Sequence, residues 1–282
     1  MAISTQRTLA QLKKEVENLG LDVKQSGSRE SKTDYVLALR DYYLSEKYSE
    51  GVPESLKWMM SIESPMLAIQ SKNLSKEELD RIFKDKNYIA QEKCDGFRFV
   101  TFINFDQDSS FAGYSRNISV KDFLPVNYGK NLLLDGVDFT KFNHKVVLDG
   151  ELMSTRPDIS TELNGKGVVT ETQLQAVVAV MGMNHEDSIQ IQRNYDNPFI
   201  YKVFDVLEID GENYMDKPYI ERHKALVKLV SELKNTGFKV EIPPTTHKNK
   251  EAFTKAIIKA GGEGSILRSE ERRVGKECRS RW

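Results

Sequence analysis

Cysteine and histidine are scarce in this chain, which limits the chemistry it can carry. It contains two cysteines, Cys94 and Cys278, and four histidines among 282 residues. Two cysteines cannot form a disulfide framework, and the histidines lie too far apart in sequence to suggest a zinc site. We therefore set redox and structural-metal roles aside.

Long apolar runs and an excess of one charge are lacking too. No stretch approaches the roughly 20 apolar residues that cross a bilayer, and the start MAISTQRTLA has no apolar signal segment. These features predict a cytoplasmic protein with no membrane partner. The net charge is −1, so any DNA binding must depend on a local positive surface.

The first part of the chain predicts two short helices around a polar turn. Leu9, Leu12, Val16 and Leu19 recur at helical spacing and Gly20 ends the run, after which a second apolar pattern begins near residue 35. The turn at 25–32, QSGSRESK, is rich in glycine, serine and basic residues. An amphipathic hairpin that only packs on a larger domain explains this pattern as well as a binding module does. Residues 47–60 look like a linker.

Beyond residue 61 the pattern changes to short β-type runs separated by helices, which predicts an α+β domain with antiparallel sheets. The predicted strands are 88–91, 98–104, 145–148, 199–206 and 264–267. The predicted helices are 76–84, 171–181, 219–234 and 250–260. Thr170 with Gln173 suggests a capping box for the second helix, Pro218 suits the first turn of the third, and Gly261 suits the end of the fourth.

A lysine with possible nucleophilic chemistry lies between the first two strands, in the string EKCDGFR at 92–98. By itself such a string is equally compatible with a solvated hairpin turn, because Asp-Gly is a common hairpin signal. Four further strings follow in order. They are SRN at 115–117, VVLDGEL at 146–152, YKVFDVL at 201–207 and EGSILR at 263–268. Together they favour catalysis at Lys93.

Each of these residue types has a physical reason to be there. A lysine amine attacks phosphorus only in its neutral form, so nearby cations must lower the pKa of such a lysine. Arg98, Arg116 and a bound Mg²⁺ are the candidates, and the same charges would bind a triphosphate. The carboxylates of Glu151 and Glu263 suit either ribose hydroxyls or Mg²⁺, and the sequence cannot separate the two tasks.

The ordered strings resemble the collinear motifs of covalent nucleotidyltransferases, namely DNA ligases, RNA ligases and capping enzymes. Four strings are similar to those of the DNA ligase branch, namely PMLA at 65–68, KxDGxR, LDGEL and FDVLEIDG. The stretch TELNGKGVVTETQLQAV at 161–177 is similar to ATP-dependent ligases of the bacteriophage type. Residues 1–46 resemble a SAP module, a small helical DNA-binding unit.

The resemblance implies a division of the chain and a role for each candidate residue. It implies a SAP-like module at 1–46, a linker at 47–60, a nucleotidyltransferase (ATP-grasp-like ligase) domain at 61–268, and a tail at 269–282 outside the family pattern. The implied roles are a catalytic Lys93, nucleotide contacts at Gln91, Glu92, Arg98, Arg116, Glu151 and Phe204, Mg²⁺ ligands at Glu151 and Glu263, and DNA contacts at Gly27, Arg29 and Lys32.

Two of these roles have alternatives that the residues leave open. Phe204 would stack on adenine, but an aromatic residue in a strand also serves simply as sheet core. Gln91 would face the adenine edge by analogy. Cys94 is interpreted as packing, not as a thiol nucleophile.

The sequence departs from the ligase pattern at its end. The tail SEERRVGKECRSRW has one lysine, where ligases of this type carry a KxK string followed by an OB domain. We therefore expect a truncated fragment with weak or absent self-adenylylation, because those parts neutralise triphosphate charge and close the site.

The expected function is an ATP-dependent DNA ligase, monomeric, acting on nicked double-stranded DNA in the cytoplasm of a bacterial or phage-infected cell. ATP and Mg²⁺ would be its cofactors. An RNA ligase or capping guanylyltransferase, and a non-catalytic DNA-binding protein with a decayed transferase fold, are the alternatives. The sequence leaves open whether the pathway is replication, repair or recombination.

Overall fold

The computed structural model describes residues 7–25, 27, 30–61, 74–161 and 169–269. The chain divides into two compact units. The first unit comprises Met1–Pro65 and Tyr114–Asn127, and the second comprises Met66–Gly113 and Tyr128–Trp282. The PMLA string, Arg29, residues 162–168 of the stretch at 161–177, and the tail beyond residue 269 lie outside the described residues.

The first unit begins with the two helices that the apolar spacing predicts. Helix α1 spans Leu9–Leu19, with a capping box at Thr8 and a left-handed Gly20 at its end. Helix α2 spans Lys32–Lys47 and is capped by Ser31. Lys32, predicted to lie in the turn, is therefore the first helical residue. The two helices bury a small apolar core, which consists of Leu12, Val16, Tyr35, Val36, Leu39 and Phe123.

The connection after α2 contains a helix that the sequence did not predict. Helix α3 spans Glu54–Ser61 and buries Leu56 and Met59. Gly51 and Pro53 concealed it, because both residues are common in loops, although a proline just before a helix is compatible with its first turn.

A small three-stranded sheet forms one part of the second unit, with the order β10-β1-β9. Its strands are β1 at Tyr88–Glu92, β9 at Thr245–Thr246 and β10 at Ser265–Ser269, and both pairings are antiparallel. Helices α4 (Lys76–Lys84) and α8 (Lys250–Lys259) accompany it. Gly261 follows α8 with a φ of +89°, as expected for a helix stop.

A larger sheet has the order β3-β2-β5-β6-β7. Its strands are β2 (Phe97–Ile103), β3 (Phe111–Ile118), β5 (Val146–Ser154), β6 (Phe199–Ile209) and β7 (Glu212–Asn213). Strand β3 begins in the second unit, and its remainder pairs with β4 (Pro125–Asn127) in the first. The predicted α+β class is confirmed. The sheets are antiparallel except where β8 (Val240–Glu241) pairs in parallel with β6.

Three further helices complete the second unit. They are α5 (Gln173–Met181), α6 (His185–Asn194) and α7 (Tyr219–Lys234). The predicted start of α5 was wrong by two residues, since Thr172 caps the helix by accepting from the Gln175 N–H. Thr170 instead bonds to the backbone at Ile159. Strand β3 and helix α6 were not predicted. No helix within the described ranges is both long and apolar enough to span a membrane.

A buried ion pair ties α7 to β6. Asp205 and Arg222 are 1% and 2% exposed, and Arg222 donates two hydrogen bonds of 2.8 and 3.0 Å to the carboxylate. A third bond of 2.6 Å runs from Arg222 to the Lys217 carbonyl oxygen. Each nitrogen of the guanidinium and each oxygen of the carboxylate thus has a hydrogen-bond partner, which is the condition under which a buried pair is tolerated.

We expect Arg222→Ala to lower the free energy of unfolding by about 3–5 kcal/mol, because it strands the Asp205 carboxylate without a partner in the interior. Urea denaturation measures this loss. Arg193→Ala is the matched control, since Arg193 pairs with Asp135 where both side chains are more than half exposed, and such pairs contribute little. Equal effects of the two substitutions would contradict the account.

Candidate active site

Lys93 follows β1 directly and lies opposite the start of β10. Its backbone N–H donates to the Gly264 carbonyl oxygen at 3.0 Å. Its Nζ forms an ion pair with Glu263, and the two side chains are 45% and 43% exposed. The amine is therefore open to solvent and paired with the carboxylate of the EGSILR string.

Glu151 occupies the middle of β5, beside the start of β2. One of its oxygens accepts the Gly96 N–H at 2.9 Å. Burial raises the pKa of this carboxyl to about 7, against the opposing effects of the Gly96 N–H, Arg98 and Lys93. The influence of Lys93 on this pKa indicates that Glu151 faces the region of the amine.

Arg98 is fixed by a carboxylate of the LDGEL string. It donates two hydrogen bonds of 2.5 Å each to Asp149, which is fully buried. Two parallel bonds hold the guanidinium plane in one orientation. Arg98, Glu151 and Lys202 then occupy paired positions on adjacent strands β2, β5 and β6, so their charges alternate across the sheet.

Close packing explains why the KxDGxR and LDGEL strings each have a glycine. A Cβ on Gly96 would lie 2.7 Å from the Leu152 carbonyl oxygen, and one on Gly150 would lie 2.6 Å from a Tyr201 ring carbon. A glycine in such a turn permits a positive φ or a close approach of a phosphate. The described contact is instead with β5 itself, and Gly96 is not among the positive-φ glycines.

Phe204 lies at a β-bulge in β6, which changes the direction of its side chain. Val203 pairs with Gly150 and Asp205 pairs with Asp149, so Phe204 is the extra residue. The main apolar core includes three residues of β6 near the bulge, Tyr201, Val203 and Val206, but it does not include Phe204. The simple alternation that made Phe204 a core candidate is therefore interrupted.

Two guanidinium groups lie over the Phe204 ring, and a tyrosine binds the backbone of the same residue. The Cζ atoms of Arg98 and Arg268 lie 4.7 and 4.8 Å from the ring centroid. The Tyr219 hydroxyl donates to the Phe204 carbonyl oxygen at 2.8 Å. The ring is only 6% exposed. This is an aromatic surface with cationic neighbours, a setting that suits an electron-rich planar ligand.

Gln91 lies behind this ring on β1 and is 1% exposed. Its amide nitrogen lies 3.4 Å from the Tyr219 hydroxyl and 3.3 Å from the Thr245 hydroxyl, and its oxygen accepts from Arg268 at 3.0 Å. Its polar atoms thus face protein groups, not the adenine edge that the resemblance implied.

The positions of the remaining predicted residues say less about the site. Glu92 ends β1, where its N–H donates to the Pro244 carbonyl oxygen at 2.9 Å. Arg116 lies on β3, but its side chain is outside the described part. Gly27 and Lys32 belong to the first unit, and Arg29 is outside the described residues. The structure therefore brings together Lys93, Glu263, Glu151, Arg98 and Phe204.

Cys94, next to the lysine, is not a competing nucleophile. Burial raises the pKa of its thiol to about 12, and the carboxylates of Glu151 and Glu92 add to the effect. At neutral pH the thiolate is scarce, and the thiolate is the reactive form. This agrees with the packing role expected from the sequence.

The two glutamates near Lys93 fit a divalent cation. Within the described residues no group of three or more His, Cys, Asp or Glu side chains is arranged around a metal site. Mg²⁺, however, commonly takes one or two carboxylates and completes its shell with water and substrate phosphates. The raised pKa of Glu151 marks a carboxylate whose burial is not fully offset by neighbouring cations, and Glu263 is half-exposed and paired with Lys93.

Four residues around the site were not selected from the sequence alone: Asp149, Tyr219, His223 and Arg268. Asp149 and Arg268 belong to the motif strings, so their place in the strings was an available signal. Tyr219 and His223 lie on α7, and nothing in their local sequence indicated that they face the pocket.

The fold, the motif order and the pocket around Lys93 are those of a nucleotidyltransferase domain, and comparison with known proteins agrees. The family model of the ATP-dependent DNA ligase domain matches residues 65–282, and the chain belongs to this family. DNA ligase 4 of Candida glabrata is 27% identical over 203 residues, covering 69% of this chain and 20% of that protein. A DNA ligase of Methanoculleus marisnigri is 30% identical over 138 residues, covering 49% and 21%.

The chain thus spans about a fifth of the length of these two relatives. Among solved structures, a mycobacterial DNA ligase D complexed with ATP and MES is 20% identical, with a TM-score of 0.43, over 68% of this chain and 51% of that one.

The buried side chain of His223 makes the stability of the folded chain depend on pH. Its Nε2 is buried and has no hydrogen-bond partner among the described residues. Burial, together with His247 and Arg268, lowers the pKa of His223 below its ordinary value, and Asp205 opposes this only in part. The unfolded chain therefore binds this proton more readily than the folded one, and stability is lost as pH falls.

We expect the free energy of unfolding to decrease as pH falls below about 6.5, and His223→Gln to make this decrease shallower, because glutamine does not titrate. Urea denaturation of both proteins between pH 5 and 8 measures the difference. Parallel curves would show that His223 does not contribute.

Proposed function

We propose that this chain is the adenylyl-transferring part of an ATP-dependent DNA ligase, with Lys93 as the nucleophile. The observation that carries the proposal is the ion pair between the Lys93 amine and Glu263, formed where β1 and β10 meet. It joins the first and last motif strings in one pocket, together with Glu151, Arg98 and the Phe204 ring.

The first step would charge the enzyme. The amine of Lys93, once it has lost its proton to solvent, attacks the α-phosphorus of ATP. A nitrogen–phosphorus bond forms, the bond from the α-phosphorus to the bridging oxygen breaks, and pyrophosphate leaves. In the described state Glu263 pairs with the amine, so the carboxylate must release the amine before attack.

The surrounding side chains would bind and orient the nucleotide. Arg98 is held by Asp149 and so presents its charge at a fixed position. The Phe204 ring, turned out of the core by the bulge, supplies an aromatic surface for adenine. Such preorganised contacts place the phosphorus for in-line attack without reorganisation of the protein.

Glu151 and Glu263 would hold Mg²⁺, which when bound neutralises charge on the triphosphate. Glu263 is paired with the Lys93 amine in the described state, so it would have to leave the amine in order to hold such an ion.

The later steps would use DNA. AMP passes from Lys93 to the 5′-phosphate of a nick, and the 3′-hydroxyl then attacks and releases AMP. Nicked double-stranded DNA is the proposed partner, the N-terminal unit is a proposed further DNA contact through Gly27, Arg29 and Lys32, and a monomer in the cytoplasm is the proposed state.

We expect α-phosphate-labelled ATP to label the chain covalently, though weakly, and Lys93→Ala to abolish the label, because the nearby Lys202 amine is engaged by Glu241 and does not pair with Glu263. Labelling is measured after denaturing electrophoresis, at long incubation times. Lys255→Ala is the control, since Lys255 is likewise paired with a glutamate but lies on the exposed face of α8.

Label retained by Lys93→Ala would contradict the proposal. Labelling by GTP in preference to ATP would favour a capping guanylyltransferase, and sealing of RNA nicks in preference to DNA nicks would favour an RNA ligase.

A further inference from the structure

The turn between β3 and β4, at residues 119–124, belongs to the core of the N-terminal helices. Phe123 is 1% exposed and is a member of the small apolar core of the first unit. All other buried members of that core lie on α1 and α2. The two helices therefore bury their apolar faces around a ring that comes from much later in the chain. The reaction proposed above does not use this contact.

The backbone at Phe123 shows that the ring is what this residue contributes. Its φ is +58°, in the left-handed region that strains a bulky residue but not glycine. The turn closes through backbone hydrogen bonds, from the Phe123 N–H to the Ser119 carbonyl oxygen at 3.2 Å and from the Ser119 N–H to the Leu124 carbonyl oxygen at 2.8 Å. Glycine would form the same bonds without strain. Phe123 thus stabilises the fold through its side chain, against the preference of its own backbone.

Two further contacts join the turn to the N-terminal part of the chain. Lys47, at the end of α2, forms an ion pair of 3.3 Å with Asp122. The guanidinium carbon of Arg7 lies 5.3 Å from the Phe123 ring centroid. Lys47 is 55% exposed, and an exposed ion pair contributes little to stability. The buried ring is therefore the main anchor.

The strand that carries the SRN string is attached to the N-terminal helices a second time. The hydroxyl groups of Ser55, on α3, and Tyr114, on β3, lie 3.0 Å apart. Both side chains are buried, at 0% and 2% exposure. Tyr114 directly precedes the string at 115–117, and the turn at 119–124 follows it closely. The string thus lies between two attachment points, and α1, α2 and α3 supply the partners at both.

We propose that Phe123 is a positioning residue, which fixes α1 and α2 on the β3–β4 turn and thereby fixes the strand that carries Arg116. This inference rests on the function proposed above, because the motif strings predict that Arg116 contacts the nucleotide. The N-terminal helices are then required when the chain binds ATP with no DNA present. A DNA-binding module on a tether would affect only the steps that use DNA.

Hydrogen exchange of the whole chain without nucleotide tests the anchor. We expect Phe123→Gly to speed the exchange of the amides of α1 and of residues 115–118 about tenfold, because the helices lose the ring that completes their core. Phe123→Leu keeps an apolar side chain on the same backbone and should stay within about threefold of the wild type. The amides of β5 are the reference for folding of the second unit. Unchanged or slower exchange in Phe123→Gly would overturn the proposal, because relief of backbone strain would then outweigh the ring.

Two further variants show whether the effect belongs to this contact. Leu39→Ala removes another buried member of the same core from the helix side and should reproduce the effect of Phe123→Gly. Phe105→Gly is the control for loss of a buried ring, since Phe105 is 8% exposed, lies in the second unit and contacts the Phe102 ring edge to face. It should leave exchange at 115–118 unchanged. Equal acceleration by Phe105→Gly and Phe123→Gly would overturn the proposal, because the effect would then be a general loss of stability.

Calorimetry with α,β-methylene ATP in the absence of DNA measures the consequence for the nucleotide. We expect Arg116→Met to weaken binding about tenfold, as for loss of a hydrogen bond to a charged group, and Phe123→Gly to weaken it by no more than that. The double variant should bind no more weakly than Arg116→Met alone, because Phe123 acts through the strand that carries Arg116. Additive losses, or undiminished binding by Phe123→Gly, would overturn the positioning role.

The two experiments distinguish failure of this inference from failure of the proposed function. Faster exchange in Phe123→Gly, combined with no binding of the nucleotide by the wild-type chain, would refute the nucleotide-binding function and with it the role of Arg116. Unchanged exchange in Phe123→Gly, combined with binding of the nucleotide by the wild-type chain, would refute the anchor alone.

Discussion

The pairing of β1 with β10 is the constraint on which the rest of the site depends. Its register sets Glu92 opposite Ser265, so the residue after β1 and the residues before β10 must meet. Lys93 and Glu263, 170 positions apart in the chain, are thereby brought into an ion pair. A slip of one strand by one residue in this register would turn its side chains to the opposite face of the sheet. Gln91 would then lose its contact with Arg268, and Lys93 would lose its contact with Glu263.

The bulge at Phe204 is the second feature that shapes the pocket. Strand β6 supplies core residues to one face and an aromatic ring to the other, and regular alternation places Val203 and Phe204 on opposite faces but would not return Val206 to the face of Val203. The extra residue lets Val206 resume the core contribution of Val203 while Phe204 turns toward Arg98 and Arg268. Tyr219 then fixes the bulge from α7 by its hydrogen bond to the Phe204 carbonyl oxygen.

The sequence predicted those elements whose signals are local. Helix α7 has the predicted bounds Tyr219–Lys234, and α4 and the end of α1 at Gly20 also agree with prediction, because apolar spacing and helix-ending residues act within one or two turns. Strand β5 was predicted far too short. Its second half, Asp149 to Ser154, contains a glycine and two acidic residues, which are poor strand formers unless tertiary contacts support them.

The sequence predicts only those site residues that lie within the motif strings. Lys93, Glu151, Arg98 and Glu263 were recognisable because their strings occur in a fixed order. Tyr219 and Thr245 were not, because only the tertiary fold brings their hydroxyl groups to the Gln91 amide. The burial of Gln91 likewise arises from strands that are distant in sequence.

A crystal structure of the chain with α,β-methylene ATP and Mg²⁺ tests the central claim most directly. The account predicts the α-phosphorus about 3–3.5 Å from the Lys93 Nζ, the spacing of a near-attack arrangement, with the amine released from Glu263 and the adenine against Phe204. A nucleotide bound elsewhere, with the Lys93–Glu263 ion pair intact, would contradict it.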